Sequence, residues 1–211
     1  MGRSGLSRIA KALLVLLVAA AWIQMITRAG GSLSSTGLRS LRYFTVLSNL
    51  LCGIAALIHL LALTRGPAPA WVLRLSYLGA VSVGVTLLVV MTFLGPLYGY
   101  PEMLRGANLW FHLVIPVLAI LENILLEQGE RPSLRDSLLA ILPTFLYGVG
   151  YLVNILLNGI GEWPDTNDWY LFFHWGVPTA MGIYAAILLL TWGIALALRA
   201  LGRRRAEREK R

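Results

Sequence analysis

The chain has 211 residues, 57% hydrophobic and only 13% charged, with a formal net charge of +8. A globular domain is roughly 45–50% apolar and about 25% charged, so this is not the composition of a soluble domain. Six membrane helices of about 20 residues would use roughly 120 and leave about 90 for ends and connections, which excludes a separate soluble catalytic or binding domain.

Six hydrophobic runs occur at about 11–27, 43–64, 71–94, 108–127, 137–158 and 170–198, separated by Gly, Pro or charge. They predict an all-α integral membrane protein, a six-helix bundle forming one domain over 1–211, with 199–211 as a basic tail. Arg3 and Arg8 ahead of a leucine-rich core also fit a signal peptide. The cleavage pattern around Ala19–Ala21 is weak, and the run is expected to be retained.

Lys and Arg asymmetry orients the bundle. With the N-terminus in the cytoplasm, the inner segments hold 14 basic residues, including Lys11, and the outer ones hold four: Arg28, Arg39, Arg42 and Arg105. Both termini are therefore expected in the cytoplasm. Seven of the 18 basic residues lie in the last 13 positions. The run Arg203–Arg204–Arg205 with Arg208, Lys210 and Arg211 reads as a topology anchor, with anionic-lipid contact as the sharper alternative. This clustering does not make a nucleic-acid face. Sixteen of the 18 are Arg, a bias that points to a GC-rich bacterial genome and so to a bacterial plasma membrane. The loop 159–169 carries Glu162, Asp165 and Asp168 with Trp163 and Trp169, which suits an interfacial belt. The single cysteine, Cys52, excludes an internal disulfide, a CxxC pair and a thiolate zinc cluster.

Polar side chains in hydrocarbon are costly, so they are the default site candidates. Given the orientation, Thr45, Ser48 and Asn49 lie near the outer end of span two, and Asn108 and His112 near that of span four. Tyr151 and Asn154 approach the same face on span five, and His174 lies about one turn into span six. At about 100° per residue, Thr45, Asn49, Cys52, Ala56 and His59 share one arc. So do Pro143, Tyr147, Tyr151, Asn154 and Asn158, and, more widely, Asn108, His112, Ala119 and Glu122. The stripes imply a polar cavity between spans two, four, five and six, toward the outer leaflet. Span three offers only small residues, Ser76, Ala80, Ser82, Gly84 and Thr86, suited to close packing.

Bland readings stand beside these. An intramembrane Thr ordinarily bonds its own helix carbonyl, and Asn49 and Asn154 serve equally as helix–helix glue. Glu122 is a buried acid that needs a proton or a partner. It lies ten residues beyond His112, about 15 Å along the axis, too far to orient it. Structural hydrogen bonding is its expected role.

The segment Arg42–Leu50, with Tyr43-Phe44-Thr45 and Asn49, resembles the aromatic–Thr–aliphatic–Asn segment of the androgen-induced and androgen-dependent TFPI-regulating protein family of transmembrane threonine hydrolases, which includes prokaryotic six-span members. Asn108 and His112, followed by Pro116 and Glu122, are similar to its Asn-x-x-x-His segment, and Gly161-Glu162-Trp163 to the turn after span five. The likeness covers about residues 10–195. It departs where Pro116 follows His112 by four residues rather than five, and at Trp163-Pro164-Asp165. The resemblance implies an intramembrane hydrolase of fatty acid esters of hydroxy fatty acids or similar long-chain esters, with Thr45 as nucleophile, His112 as general base, and no metal or cofactor. A hydroxyl is a weak nucleophile until a base takes its proton, and a neutral His can do so and later protonate the leaving alkoxide. Asn49 and Asn154 lead the candidates for stabilising the oxyanion, followed by Asn108 and Tyr151. The resemblance does not assign His174.

Two other classes compete. A His-ligated metal or haem protein would use His112 with His174, since His59 lies near the other end. A non-enzymatic lipid-binding or small transport protein would exploit kinks at Pro116, Pro143 and Pro178, although no internal repeat relates the two halves.

Overall fold

The computed structural model describes residues 2–27, 37–162 and 166–208; Arg28, Trp163, Pro164, Asp165, Lys210 and Arg211 lie outside the described residues. Six helices are long and apolar enough to cross a membrane: α1 (Arg3–Thr27), α2 (Phe44–Leu63), α3 (Ala70–Tyr98), α4 (Ala107–Leu125), α5 (Leu134–Asn158) and α6 (Val177–Arg208). The described residues contain no strand. In hydrocarbon a helix satisfies its own backbone polar groups, which is why apolar runs of this length adopt it. This is the architecture of a multi-pass membrane protein.

The start of α1 lies against the far ends of α2 and α4. Arg3 Nη2 donates to the Leu125 carbonyl at 3.0 Å and Arg8 Nη2 to the Leu63 carbonyl at 2.9 Å. Both occupy carbonyls that a helix C-terminus leaves without an intrahelical donor. The start of α1, the α2–α3 and α4–α5 turns and the end of α6 thus form one rim, the termini rim. The first turn of α2 and the last of α3 belong to the opposite rim.

Helix α3 is the central element. Its most apolar stretch is 56% buried, against 22% for α5 and α6. Gly84, one of the small residues read from its sequence, and Gly79, which was not, both allow close approach. A Cβ on Gly79 would stand 3.0 Å from the Cys52 Cα, and one on Gly84 would stand 3.0 Å from Ile194 Cγ2. Polar ties add to this packing: Ser48 and Thr86 hydroxyls are 3.0 Å apart, and Tyr77 donates to the Ala195 carbonyl at 2.5 Å.

Some boundaries differ from those expected. Helix α6 starts at Val177, not near 170. The Asp168 carboxylate accepts the N–H groups of Phe172 and Phe173, each at 2.9 Å, and winds Phe172–Trp175 into a separate 3₁₀ turn. Leu171 at φ 56° and Gly176 at φ 85° carry the reversals on either side. His174 is therefore exposed in this turn rather than one turn into span six. Helix α1 begins at Arg3, ahead of the expected start at 11, so Lys11 lies two turns inside it rather than at its end. Helix α6 continues to Arg208, so 199–208 is helical. Helix α5 is interrupted between Leu139 and Leu142, just before Pro143.

Because the Gly79 contact is with backbone, Gly79→Val is expected to push α2 from α3 and cost about 1–3 kcal/mol. Thermal unfolding in detergent measures it, with Gly150→Ala, which meets nothing within 4 Å, as the tolerated control.

Candidate functional site

A pocket opens at the rim opposite the termini and encloses about 630 Å³, its open mouth included. Met25 closes it from α1, Tyr43, Thr45 and Val46 from the start of α2, and Leu94 and Tyr98 from the end of α3. Met103, Asn108 and His112 form the α4 side, and Trp169 and Tyr170 roof it. Thr45, His112 and Asn108, singled out in the sequence on two separate helices, thus meet at one cavity.

Two helix irregularities shape its walls. Val90–Leu94 of α3 and Trp110–Val114 of α4 are π turns, each separated by a single residue from a following proline, Pro96 or Pro116. In α4 the Ile115 N–H reaches back to the Trp110 carbonyl. Pro116 has no N–H to give, so the Phe111 carbonyl loses its helical donor. Asn49 supplies one from α2, with Nδ2 3.1 Å from the Phe111 carbonyl. In α3 the Gly95 N–H reaches the Val90 carbonyl, and the Tyr100 hydroxyl covers the Met91 carbonyl at 2.7 Å. Single π turns of this kind are frequent at functional sites.

His112 sits in the middle of the α4 π turn, buried to 7% exposure. Its Nδ1 is 2.6 Å from the Met103 carbonyl. A carbonyl only accepts, so Nδ1 carries the hydrogen, and the neutral ring keeps its lone pair on Nε2. This is the tautomer a general base requires. Thr45 lies in the first turn of α2. Of the N–H groups that open this helix, that of Phe44 is taken by the Tyr170 hydroxyl at 2.9 Å and that of Val46 by the Tyr43 carbonyl at 3.1 Å. The Thr45 N–H has no hydrogen-bond partner among the described residues. No hydrogen bond joins the Thr45 and His112 side chains.

The other amides have different positions. Asn49 is fully buried, and Nδ2 spends both hydrogens on carbonyls, Thr45 at 2.7 Å and Phe111. It ties the Thr45 turn to the His112 turn and has no hydrogen left for an oxyanion. Asn154 does not line the pocket; its Oδ1 accepts from Asn158 at 3.0 Å. Asn108 is the side-chain amide that does line it. Tyr151 donates to Asp168 and is likewise structural.

The roof is the feature sequence reasoning missed. Asp168, grouped there with rim acids, is 1% exposed and organises the loop. Besides the two N–H groups it captures, it holds the Tyr151 hydroxyl. The Trp169 indole N–H donates to the Tyr147 hydroxyl at 3.0 Å, and Tyr147 donates to the Arg42 carbonyl at 2.6 Å. The Arg42 guanidinium lies 5.5 Å from the Trp169 ring centre. Burial pushes the Tyr170 phenol up to about 12, so it caps Phe44 as a neutral hydroxyl. The pocket therefore lies among α1–α4 under this loop, not between spans two, four, five and six. The tyrosine stripe of α5 holds the loop, because those long side chains reach it by hydrogen bonds. A run of Tyr and Trp flanking one acid, residues 168–173, was the available signal.

Glu122 is remote from the pocket and bonded, as expected of a structural acid. Lys11 Nζ is 2.8 Å and Ser7 Oγ 2.9 Å from its Oε1. Lys11 is 1% exposed, an interior cation rather than a rim one. His59 lies near the termini rim, His112 in the pocket and His174 in the exposed turn. Among the described residues no three His, Cys, Asp or Glu side chains are grouped to hold a metal ion.

No protein-family model matches the chain, and comparison with curated proteins and with solved structures finds no match.

Asn49→Ala removes two hydrogen bonds and strands a buried carbonyl, which predicts a loss of about 1–3 kcal/mol. Asn49→Asp, which cannot donate to either carbonyl when ionised, should be no better. Unfolding of both variants in detergent checks the pair; wild-type stability in either would contradict it.

Proposed function

We propose that the chain is an intramembrane hydrolase of long-chain lipid esters, with Thr45 as nucleophile and His112 as general base. The observation that carries this reading is that one pocket, open at a rim of the bundle, is lined by both Thr45 and His112, and that the His112 Nδ1–H is bound to the Met103 carbonyl. His112 Nε2 takes the hydroxyl proton as Thr45 Oγ attacks the ester carbonyl, and then gives it to the departing alkoxide. Water, deprotonated by the same nitrogen, releases the acid and restores Thr45. Hydrogen bonds of this kind are commonly long or unformed without substrate and tighten when it binds.

The developing oxyanion needs donors. The unbonded Thr45 N–H at the start of α2 and the Asn108 amide are the available pair, with the positive end of the helix dipole behind the first. In the proposed orientation both termini are cytoplasmic, the pocket opens toward the outer leaflet of a bacterial plasma membrane, and the acyl chain enters from the bilayer. The sequence resemblance to transmembrane threonine hydrolases supports the same roles, and fatty acid esters of hydroxy fatty acids are its suggested substrates.

Purified protein is expected to hydrolyse long-chain esters and to label with a fluorophosphonate probe. Thr45→Ala should abolish both. His112→Ala should lower kcat by about 10²–10⁴-fold and Asn108→Ala by about 10²–10³-fold. Glu122→Gln, remote from the pocket, should keep labelling. Activity that survives Thr45→Ala and is lost in Glu122→Gln would overturn the assignment; lipid capture without turnover would instead make the pocket a binding site.

A further inference from the structure

Far from the pocket, at the termini rim, four ionisable side chains from three helical regions meet inside the bundle. Lys11 Nζ on α1 is 2.8 Å from Glu122 Oε1 on α4 and 3.3 Å from Glu127 Oε2 in the turn that closes α4. His59 on α2 brings Nε2 within 3.6 Å of Glu127 Oε1, while its Nδ1 is 2.9 Å from the Ser76 hydroxyl on α3. Lys11, His59, Glu122 and Glu127 are all at most 7% exposed. The ester chemistry proposed for the pocket has no use for this network.

Its charges do not balance. With both carboxylates ionised and His59 neutral, one ammonium faces two negative charges, and an uncompensated buried charge is strongly disfavoured. A single added proton restores neutrality. Glu122 is the poorer place for it, since this carboxylate has the shorter contact with Lys11 and also accepts from Ser7 Oγ at 2.9 Å. Placing it on His59 would bury a second cation and a third and fourth full charge, whereas placing it on Glu127 leaves two neutral groups. We propose that the network is a proton-binding site, with one exchangeable proton held on the Glu127 carboxyl facing His59.

The site has a route to water. Glu127 also lines a second, smaller pocket at the termini rim, together with Asn123 and Tyr77. The charged groups there are Arg74, Glu130, Arg131 and Asp136. Two are positive and two negative, with Arg74 Nε 3.1 Å from Asp136 Oδ1, so their formal charges sum to zero. Glu127 is the member of the network that borders this pocket, and so the one that can exchange a proton. Burial raises its carboxyl above the ordinary carboxylate range, Lys11 opposing the rise and Glu122 adding to it.

Infrared spectroscopy of the whole protein in an ester-free detergent tests this. Above about pH 6 free carboxyls, with ordinary pKa values of about 3.9–4.3, are ionised. Wild type is expected to retain a carboxylic C=O band there that shifts in D₂O and disappears as the pH rises further. The band should vanish in Glu127→Gln and persist in Glu122→Gln. Because the folded protein holds this proton more tightly than the unfolded chain, stability falls as pH rises from the ordinary carboxyl range through the raised one. Glu127→Gln should flatten that fall. No such band in wild type, or a band lost with Glu122→Gln and kept in Glu127→Gln, would overturn the proposal. Wild type alone suffices for the first outcome, so a variant that fails to fold does not shelter the idea.

Discussion

Inside a bilayer a backbone carbonyl without a donor has no water to turn to, and this constraint organises the pocket rim. Two helices carry a proline just after a π turn, and each proline removes an N–H from the ladder. Each time, a side chain fills the vacancy: Tyr100 for the Met91 carbonyl in α3 and Asn49 for the Phe111 carbonyl in α4. The repair in α4 has the wider effect. Asn49 also bonds the Thr45 carbonyl, so one amide joins the helix turns that carry Thr45 and His112. A local defect in backbone hydrogen bonding thereby becomes a tertiary contact between two helices.

The roof obeys the same rule by different means. Loop backbone at the membrane edge must also be satisfied, and Asp168 does this with one carboxylate shared among two N–H groups and a tyrosine hydroxyl. Tyr170 then caps the first N–H of α2. The aromatic cluster over the pocket is thus an extension of the α2 N-terminus as much as a lid. Among the described residues it leaves the Thr45 N–H as the unbonded donor of that turn.

The polar groups of the bundle separate into two regions with different physics. On the helices that wall the pocket, Asn49 and His112 are paired with backbone carbonyls, and the buried acid Asp168 stands in the roof. At the termini rim they are ionisable and paired with each other, Lys11 with Glu122 and Glu127 and the latter with His59. Between them α2 presents Cys52 and Ala56 and α4 presents Ala119, all buried and apolar.

The six helices, the inward stripes of α2 and α4 and the placement of Thr45 and His112 at the same end of the bundle were legible in the sequence alone. Helical period and bilayer thickness are local rules, and a side chain's face and depth follow from its position along one helix. What each polar group bonds to was not legible. Lys11 reads as a rim cation until α4 is beside it, Asp168 as a rim acid until the loop folds over it, and Asn49 as an oxyanion donor until its two hydrogens meet two carbonyls. The start of α6 moved for the same reason, since a side chain elsewhere in the loop competes for the N–H groups that a helix would use. Partnership between polar groups is decided by which helices are neighbours, and only the tertiary structure holds that information.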